Sequence, residues 1–413
     1  MGFSPPAYVR PQGAKALQRR LTALLSAGFP VPCGVYAGLA DPGPRSPRHA
    51  VVTHRVATEL ADRTAERVPR TNTNPAPILR VLAAASWGRA DAMGSDLSAF
   101  PVDLASPLWR DVADLAAEPA ELTVPERRVA ADLLLRLGYV RHASSVLGLD
   151  GVTASAHAFS TPELAIKEFA VLYWRPHDSS ELDSLALRGA ADPALPAETR
   201  VSLATFAVVR QGKLGVRNAV MDEAARLAQD AADELSGSFA DSLARQAFYR
   251  GLAFVPFVQR DRAGTLELLD KAYRCQMDAV PTTVLEKLAW DDYAFPLFET
   301  LAKTNTVLER PEKAVAATDT LLAISPHDHR AWAARGRALL AAGDLDAALA
   351  AYTHMESLGG LATASAAFHR GWVLHRLGRR DDAQRAYRIS REIDPTVTAV
   401  TEQLEHLGRP VGV

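Results

Sequence analysis

Apolar residues recur along most of this chain at the three- and four-residue spacing of an amphipathic helix. Two stripes show the spacing clearly, one at Val129, Leu133 and Leu137, the other at Val220, Ala224, Leu227, Ala231 and Leu235. No segment alternates apolar and polar residues between hairpin turns, which is the pattern of paired strands. The pattern therefore predicts an all-α protein.

Start and stop signals divide the chain into successive helices. Thr123-Val124-Pro125-Glu126 and Thr161-Pro162-Glu163 each combine a capping residue, a proline and an acid, as at a helix start. Residues 1–196 are expected to form a less regular helical region, with a proline-rich loop at 29–47. Helices are predicted over 197–210, 218–235, 239–256 and 265–277, and we interpret 197–294 as degenerate helix pairs.

Residues 295–397 show an internal repeat. Two copies match at a period of 35 residues, pairing Gly336 with Gly371, Gly343 with Gly378, Ala348 with Ala383 and Tyr352 with Tyr387. A weaker copy precedes them, carrying Phe298, Ala302, Ala314 and Pro326. Glycine inside a helix costs roughly 1 kcal/mol against alanine, so the mid-helix glycines need a packing reason. We expect each to face the alanine of the second helix and let the two helices approach.

This pattern resembles the tetratricopeptide repeat (TPR), whose period is about 34 residues, with Trp, Leu-Gly, Tyr, Ala and Pro at set offsets. The resemblance implies an α-solenoid of antiparallel helix pairs, with three units in 295–397 and a capping helix and tail in 398–413. In that family the first helices line a peptide-binding groove. By resemblance, the groove positions here are Glu299, Lys303, Thr306, Arg330, Ala333, Arg337, Leu340, Phe368, Trp372, His375 and Arg376.

The groove positions indicate what kind of partner the resemblance implies. Lysine and arginine beside two aromatic residues suit a protein or peptide with acidic and apolar side chains. An alternative is that Phe368 and Trp372 pack on the C-terminal helix instead. The chaperone-binding subfamily carries Lys and Asn where Glu299 and Lys303 stand here. Binding of a chaperone's terminal carboxylate is therefore not expected.

Composition narrows the classes of function. A net charge of −2, with 48% hydrophobic and 23% charged residues, is typical of a folded protein that binds neither nucleic acid nor membrane. Two cysteines, no signal-peptide pattern and no long apolar run predict a cytoplasmic protein. Arginine greatly outnumbers lysine, which indicates a GC-rich coding sequence such as that of an actinobacterium. The sequence is also compatible with a homodimer.

The sequence carries no Gly-x-Gly-x-x-Gly, Walker, Gly-x-Ser-x-Gly, His-Glu-x-x-His or Cys-x-x-Cys motif. His327-x-His329 is interpreted as a turn between units rather than a metal site, and Cys275 as a half-buried helical residue. Asp291 and Asp292 are interpreted as caps of a helix beginning at Phe295-Pro296, although they could instead form an acid pair in an aromatic pocket. The arginines from Arg379 to Arg391 are interpreted as a solvated helix face.

Two hypotheses follow. The favoured one is a non-catalytic adaptor or regulatory protein, without cofactor or metal, that binds a partner in the groove. The alternative is a small-molecule sensor, or an enzyme on a helical scaffold, with its pocket in residues 1–196. That alternative rests on the proline-rich loop beside apolar helices, a setting in which lids occur.

Overall fold

A computed structural model describes residues 122–137, 140–174, 179–215, 217–324, 328–358 and 363–408. The helices and the proline-rich loop predicted before residue 122 lie outside the described residues. Every regular element in the described part of the chain is a helix, which confirms the predicted all-α class.

Four helices open the described part: α1 (Val124–Leu137), α2 (Val140–Val146), α3 (Ala165–Trp174) and α4 (Ser179–Ala191). The start of α1 is capped as its sequence predicts, because the backbone N–H and hydroxyl of Thr123 donate to the Glu126 carboxylate at 2.8 and 2.7 Å. Before α3, the buried Glu168 accepts from the backbone N–H of Ser160 at 3.2 Å, which ties the incoming loop to the helix.

The next helices form pairs: α5 (Ala197–Lys213) packs on α6 (Ala219–Asp233), and α7 (Phe239–Leu252) packs on α9 (Arg262–Asp278), with the short α8 (Phe254–Val258) between α7 and α9. Side-chain caps begin three of them, since Asn218, Ser238 and Asp261 each accept a backbone N–H of the first turn. The predicted helix pairing is thus present in this part of the chain.

Close glycine contacts in these degenerate pairs differ from those of the later repeats. A Cβ atom added to Gly251 would lie 2.5 Å from Cγ2 of Thr205, which belongs to α5 rather than to the paired helix α9. Gly251 therefore brings the first helices of neighbouring pairs together. Its Arg-Gly sequence matches that at Gly336 and Gly371, but Gly251 packs against a different helix of the array.

Helix α10 (Val284–Val307) runs continuously through Pro296. The prediction that Asp291 and Asp292 cap a helix beginning at Phe295 is wrong, because the helix begins earlier at a reciprocal cap. Thr283 Oγ1 accepts the backbone N–H of Glu286 at 3.1 Å, and the Glu286 carboxylate accepts that of Thr283 at 3.0 Å. Pro296 lacks a backbone N–H and so removes one hydrogen-bond donor, but the helix continues past it.

The described residues divide into two compact units, with the boundary between Leu297 and Phe298. The second unit continues with α11 (Pro311–Ile324), α12 (His329–Ala341), α13 (Leu345–Leu358), α14 (Thr363–Arg376), α15 (Arg380–Ile393) and α16 (Thr398–Gly408). Each of these helices packs on the next one in sequence. Such consecutive stacking is the architecture of an α-solenoid, as the repeat predicts.

The repeat glycines face tyrosine rings rather than the alanines that we expected. A Cβ atom at Gly336 would lie 2.5 Å from Cζ of Tyr352, and one at Gly371 would lie 2.9 Å from Cδ1 of Tyr387. Both tyrosine side chains are almost completely buried. The missing side chain of each glycine thus makes room for an aromatic ring of the second helix.

A second repeated contact joins successive helix pairs. Arg335 on α12 pairs with Asp319 on α11 at 2.5 Å, and it also donates to the backbone carbonyl of Val315 at 3.2 Å. Thirty-five residues later, Arg370 on α14 donates from Nε to Glu356 on α13 at 2.6 Å. The arginine before each repeat glycine therefore binds the second helix of the preceding pair.

Candidate functional site

Several basic positions of the predicted groove are engaged within the chain. Lys303 pairs with Glu299 one turn away on α10 at 2.6 Å. Arg330 pairs with Asp328, the residue that caps α12, at 2.8 Å. These contacts reduce the charge that Lys303 and Arg330 can offer to a partner.

Arg337, in the middle of α12, is exposed and has no hydrogen-bond or ion-pair partner among the described residues. Burial raises the pKa of Tyr352 and lowers that of His369, and the positive charge of Arg337 acts to lower the pKa of both, so the three groups lie near one another. The rings of His369 and Tyr352 stack with centroids 5.0 Å apart. The three side chains come from α12, α13 and α14, so one cationic position sits where three consecutive helices meet.

His369 is held neutral at physiological pH. Burial lowers its pKa to about 4, and this outweighs the opposing effect of its hydrogen bond to the Ser365 carbonyl. Nδ1 lies 2.7 Å from that carbonyl oxygen, so Nδ1 carries the proton of the neutral ring. Arg337 is therefore the charged member of the cluster.

The aromatic members of the predicted groove belong to the core. Phe368 is fully buried and Trp372 is 7% exposed, and both lie in one buried cluster with Val400 and Leu407 of α16. This is the packing that the sequence left open as the alternative. Because Phe368 has no exposed surface, a bound peptide would not contact it in this conformation.

The remaining groove positions, His375 and Arg376, lie at the end of α14. The guanidinium of Arg376 lies 5.5 Å from the centre of the Trp372 ring, and the His375 ring lies 5.6 Å from that of His406 on α16. Burial lowers the pKa of His375, and the neighbouring cationic groups His406, Arg380 and Arg376 lower it further. Arg376 therefore contacts a side chain of its own helix, and His375 contacts the C-terminal helix α16.

A cavity of about 270 Å³ lies in the first unit, between α1, α3, α7 and α10. Its polar lining consists of Asp132, Lys167, Gln246, Arg250, Asp292 and Tyr293, and Lys167 is paired with Asp132. Four of these six polar residues come after residue 196, whereas the alternative hypothesis placed its pocket before that residue. The acid pair at 291–292 thus contributes one member, Asp292, to a pocket that also contains aromatic residues.

Gln246 is a polar residue of this lining whose side chain is completely buried. It has no exposed surface, and its Nε2 donates to the Tyr293 carbonyl at 3.3 Å. Its Oε1 is buried and has no hydrogen-bond partner among the described residues. Burial raises the pKa of Tyr293, Asp292 raises it and Arg250 lowers it, so both charges lie near this hydroxyl.

Two other candidates for chemistry are Cys275 and the turn that contains His327 and His329. Cys275 is half-buried, and burial raises the pKa of its thiol, which opposes activation as a nucleophile. Lys271, one turn before it, pairs with Glu267 at 2.8 Å.

His327 lies outside the described residues, and no group of three metal-ligating side chains occurs among the residues that are described. In that same part of the chain, no helix has the length and apolar character needed to cross a bilayer.

Comparisons with known proteins add little to this picture. No protein-family model matches the chain, and no curated protein matches it in sequence. The solved structure of YrrB, a TPR protein with an unusual peptide-binding site, aligns with 54% of this chain and 97% of its own, at 18% identity and a TM-score of 0.37. A similarity this weak carries no argument about binding. The helix pairs, the 35-residue register and the glycine–tyrosine contacts themselves define a TPR-like helical repeat protein.

Proposed function

We propose that this chain is a non-catalytic adaptor or regulatory protein that binds an acidic segment of a partner protein across α12 and α14. One observation carries the proposal: Arg337 is an exposed cation without a partner in the described residues, on the first helix of a repeat pair. The neighbouring groove cations Lys303 and Arg330 are already paired within the chain. Arg337 is therefore the position at which an incoming carboxylate gains most.

The chemistry of this position suits a carboxylate side chain. An arginine can donate two parallel hydrogen bonds to one carboxylate, which gives both strength and orientation. His369 beside it is neutral near pH 7, so it neither repels nor competes with the arginine. The partially exposed Ala333, one turn before Arg337, offers a small apolar contact to the residue next to the acid.

The test is selection of peptides from a random displayed library on the full chain, followed by affinity measurement by fluorescence anisotropy. We expect the selected peptides to be rich in Asp and Glu. Arg337→Glu should weaken their binding by about 10-fold or more, since it removes a charge-assisted hydrogen bond and adds repulsion.

Arg388→Glu is the matched control. Arg388 is also exposed and without a partner in the described residues, but it lies on α15, the second helix of its pair. This variant makes the same change in net charge and should leave affinity within about twofold. If both variants weaken binding equally, the attraction is a general charge effect and the proposed site is wrong.

A further inference from the structure

We propose that His375 on α14 and His406 on α16 form a binding site for a phosphoryl group. The centres of the two rings lie 5.6 Å apart, and the ring planes are tilted by 47°. His406 is exposed and His375 is partly buried, so both rings can be reached from solvent. The site shares no side chain with the peptide site around Arg337 and is independent of it.

Both imidazole rings have donors to offer to a ligand. The ring nitrogens of His375 and His406 make no hydrogen bond and no ion pair among the described residues. An imidazole N–H that donates to an oxygen places the centre of the ring about 4 Å from that oxygen. Two ring centres 5.6 Å apart therefore allow both rings to donate to one oxygen, or to two oxygens of the same group.

Two arginines place positive charge beside these rings. Arg376 follows His375 at the end of α14. Arg380, at the start of α15, donates from Nε to the Leu407 carbonyl at 3.1 Å, which places its charge next to the residue that follows His406. Burial lowers the pKa of His375, and these three basic neighbours lower it further. The guanidinium groups contribute charge to the site, and the hydrogen bonds to a ligand come from the rings.

These charges favour an anion over a metal ion, although neutral imidazoles are common metal ligands. The helices packed around this end of α14 also carry acidic residues, namely Asp346 on α13, Asp381 and Asp382 on α15, and Glu402 and Glu405 on α16. None of these carboxylates shifts the pKa of His375, whereas the cationic groups do. A divalent cation between the rings would therefore be repelled by two guanidinium groups, and an anion is attracted by them.

A phosphoryl group suits this cluster better than a single carboxylate. It carries a charge of about −1.5 to −2 at neutral pH and three acceptor oxygens, which is enough for both rings at once. Bound between the rings, it offsets the repulsion among the basic groups and favours the protonated form of each imidazole. Binding should therefore be accompanied by proton uptake, and the affinity should increase as pH falls.

The first experiment measures the pKa of each histidine ring by NMR in the full chain labelled with carbon-13 histidine. Titrations with about 50 mM sodium sulfate are compared with titrations in sodium chloride of the same ionic strength. Sulfate is the probe because it has the shape of phosphate and its own charge stays constant near neutral pH. We expect sulfate to raise the pKa of both His375 and His406 by about 1. Single His→Gln variants assign the signals.

His354 on α13 of the same unit is the matched control. Its side chain is exposed, and partial burial lowers its pKa without a contribution from charged neighbours. Sulfate should change the pKa of His354 by less than about 0.2.

The affinity for sulfate, taken from the same spectra, provides the second measurement. It should increase about 10-fold from pH 8 to pH 6 in the wild-type chain. His375→Gln and His406→Gln should each weaken binding at pH 6 by about 5- to 10-fold and reduce its dependence on pH, because glutamine does not titrate. His354→Gln should leave the affinity within about twofold.

Two further ligands distinguish the sources of a phosphoryl group. Inorganic phosphate and a capped tripeptide that contains phosphoserine are compared at the same pH. Tighter binding of the peptide assigns the site to a phosphorylated partner protein, and tighter binding of phosphate assigns it to the free anion. Acetate, with one charge and two oxygens, should bind at least about 10-fold more weakly than either.

A charge-reversal variant checks the site by a second route. His406 is exposed, so His406→Glu should keep the unfolding temperature of the wild type. Its carboxylate should raise the pKa of His375 and abolish sulfate binding. The proposal is overturned if sulfate raises the pKa of His354 as much as those of His375 and His406, or if the affinity does not depend on pH. It is also overturned if the two rings bind Zn²⁺ and not sulfate.

Discussion

Gly336 and Gly371 are the residues on which the register of the repeat depends. Each lies under a tyrosine ring that has almost no exposed surface and therefore little room to move. The added Cβ atom would come within 2.5 Å of Tyr352 at the first position and within 2.9 Å of Tyr387 at the second. Interiors are packed too densely to absorb such an overlap without a shift of the helices.

We predict that Gly336→Ala and Gly371→Ala both destabilise the chain, and that Gly336→Ala does so more. The overlap should cost about 1–3 kcal/mol beyond the gain in helix propensity from alanine. Urea-induced unfolding, followed by circular dichroism, measures the difference in free energy of unfolding.

Gly408→Ala provides the control, because a Cβ atom there would meet nothing within 4 Å. Combining Gly336→Ala with Tyr352→Leu should cost less than the sum of the two single changes, since the smaller side chain relieves the overlap. Wild-type stability in Gly336→Ala would contradict the glycine–tyrosine contact.

At the scale of elements, the arginines before these glycines link one helix pair to the next. The two links differ in their surroundings. The Glu356 side chain that Arg370 binds is 8% exposed, whereas the Asp319 side chain that Arg335 binds is 64% exposed. Removing the cation from a buried pair leaves an uncompensated charge, which costs far more than losing a surface pair.

We therefore predict that Arg370→Gln lowers the free energy of unfolding by about 2–4 kcal/mol at pH 7, and Arg335→Gln by about 1 kcal/mol.

Burial raises the pKa of Glu356, and Arg370 partly offsets this. Without the arginine, the carboxyl takes up a proton at higher pH and becomes neutral. The deficit of Arg370→Gln should consequently shrink as pH falls from 7 towards 5, and unfolding curves at both pH values would test this. A deficit that stays constant would show that Glu356 is not the source.

The periodic pattern predicted the elements and their pairing, but not which side chains meet across helices. Glycine and tyrosine repeat at 35 residues, so the register of α12 to α15 could be predicted from the sequence. The acidic partners Asp319 and Glu356 lie 37 residues apart, at different offsets in their units, so the period could not identify them. Pro296 was misinterpreted as a helix start because a proline inside a helix looks locally like one at its first turn.

The two candidate sites were predictable to different degrees. Arg337 could be located because the TPR resemblance gives an offset for each groove position. The burial of Phe368 and Trp372 depends on α16, whose packing a pattern within α14 cannot show. The cavity takes its polar lining from positions between 132 and 293 on four helices, and no local motif links them.

At the scale of the whole molecule, two groups with strongly shifted pKa values make the stability of the chain depend on pH. Burial lowers the pKa of His369 to about 4. For Asp241, burial opposes ionisation, but hydrogen bonds from Ser236, Gly237 and Ser238 lower its pKa to about 2. Each group binds protons more weakly when folded than when unfolded, so each stabilises the folded chain at high pH and loses that contribution in acid.

We predict that the two contributions disappear in separate pH ranges. The contribution of His369 to the free energy of unfolding, about 3 kcal/mol, should be lost as pH falls from 6.5 to 4. The contribution of Asp241, about 2 kcal/mol, should be lost as pH falls from 4 to 2. The measurement is the unfolding temperature against pH for wild type, His369→Gln and Asp241→Asn. The difference between wild type and His369→Gln should change mainly above pH 4, and the difference for Asp241→Asn mainly below it. Differences that do not vary with pH would show that these groups titrate alike in the folded and unfolded chain.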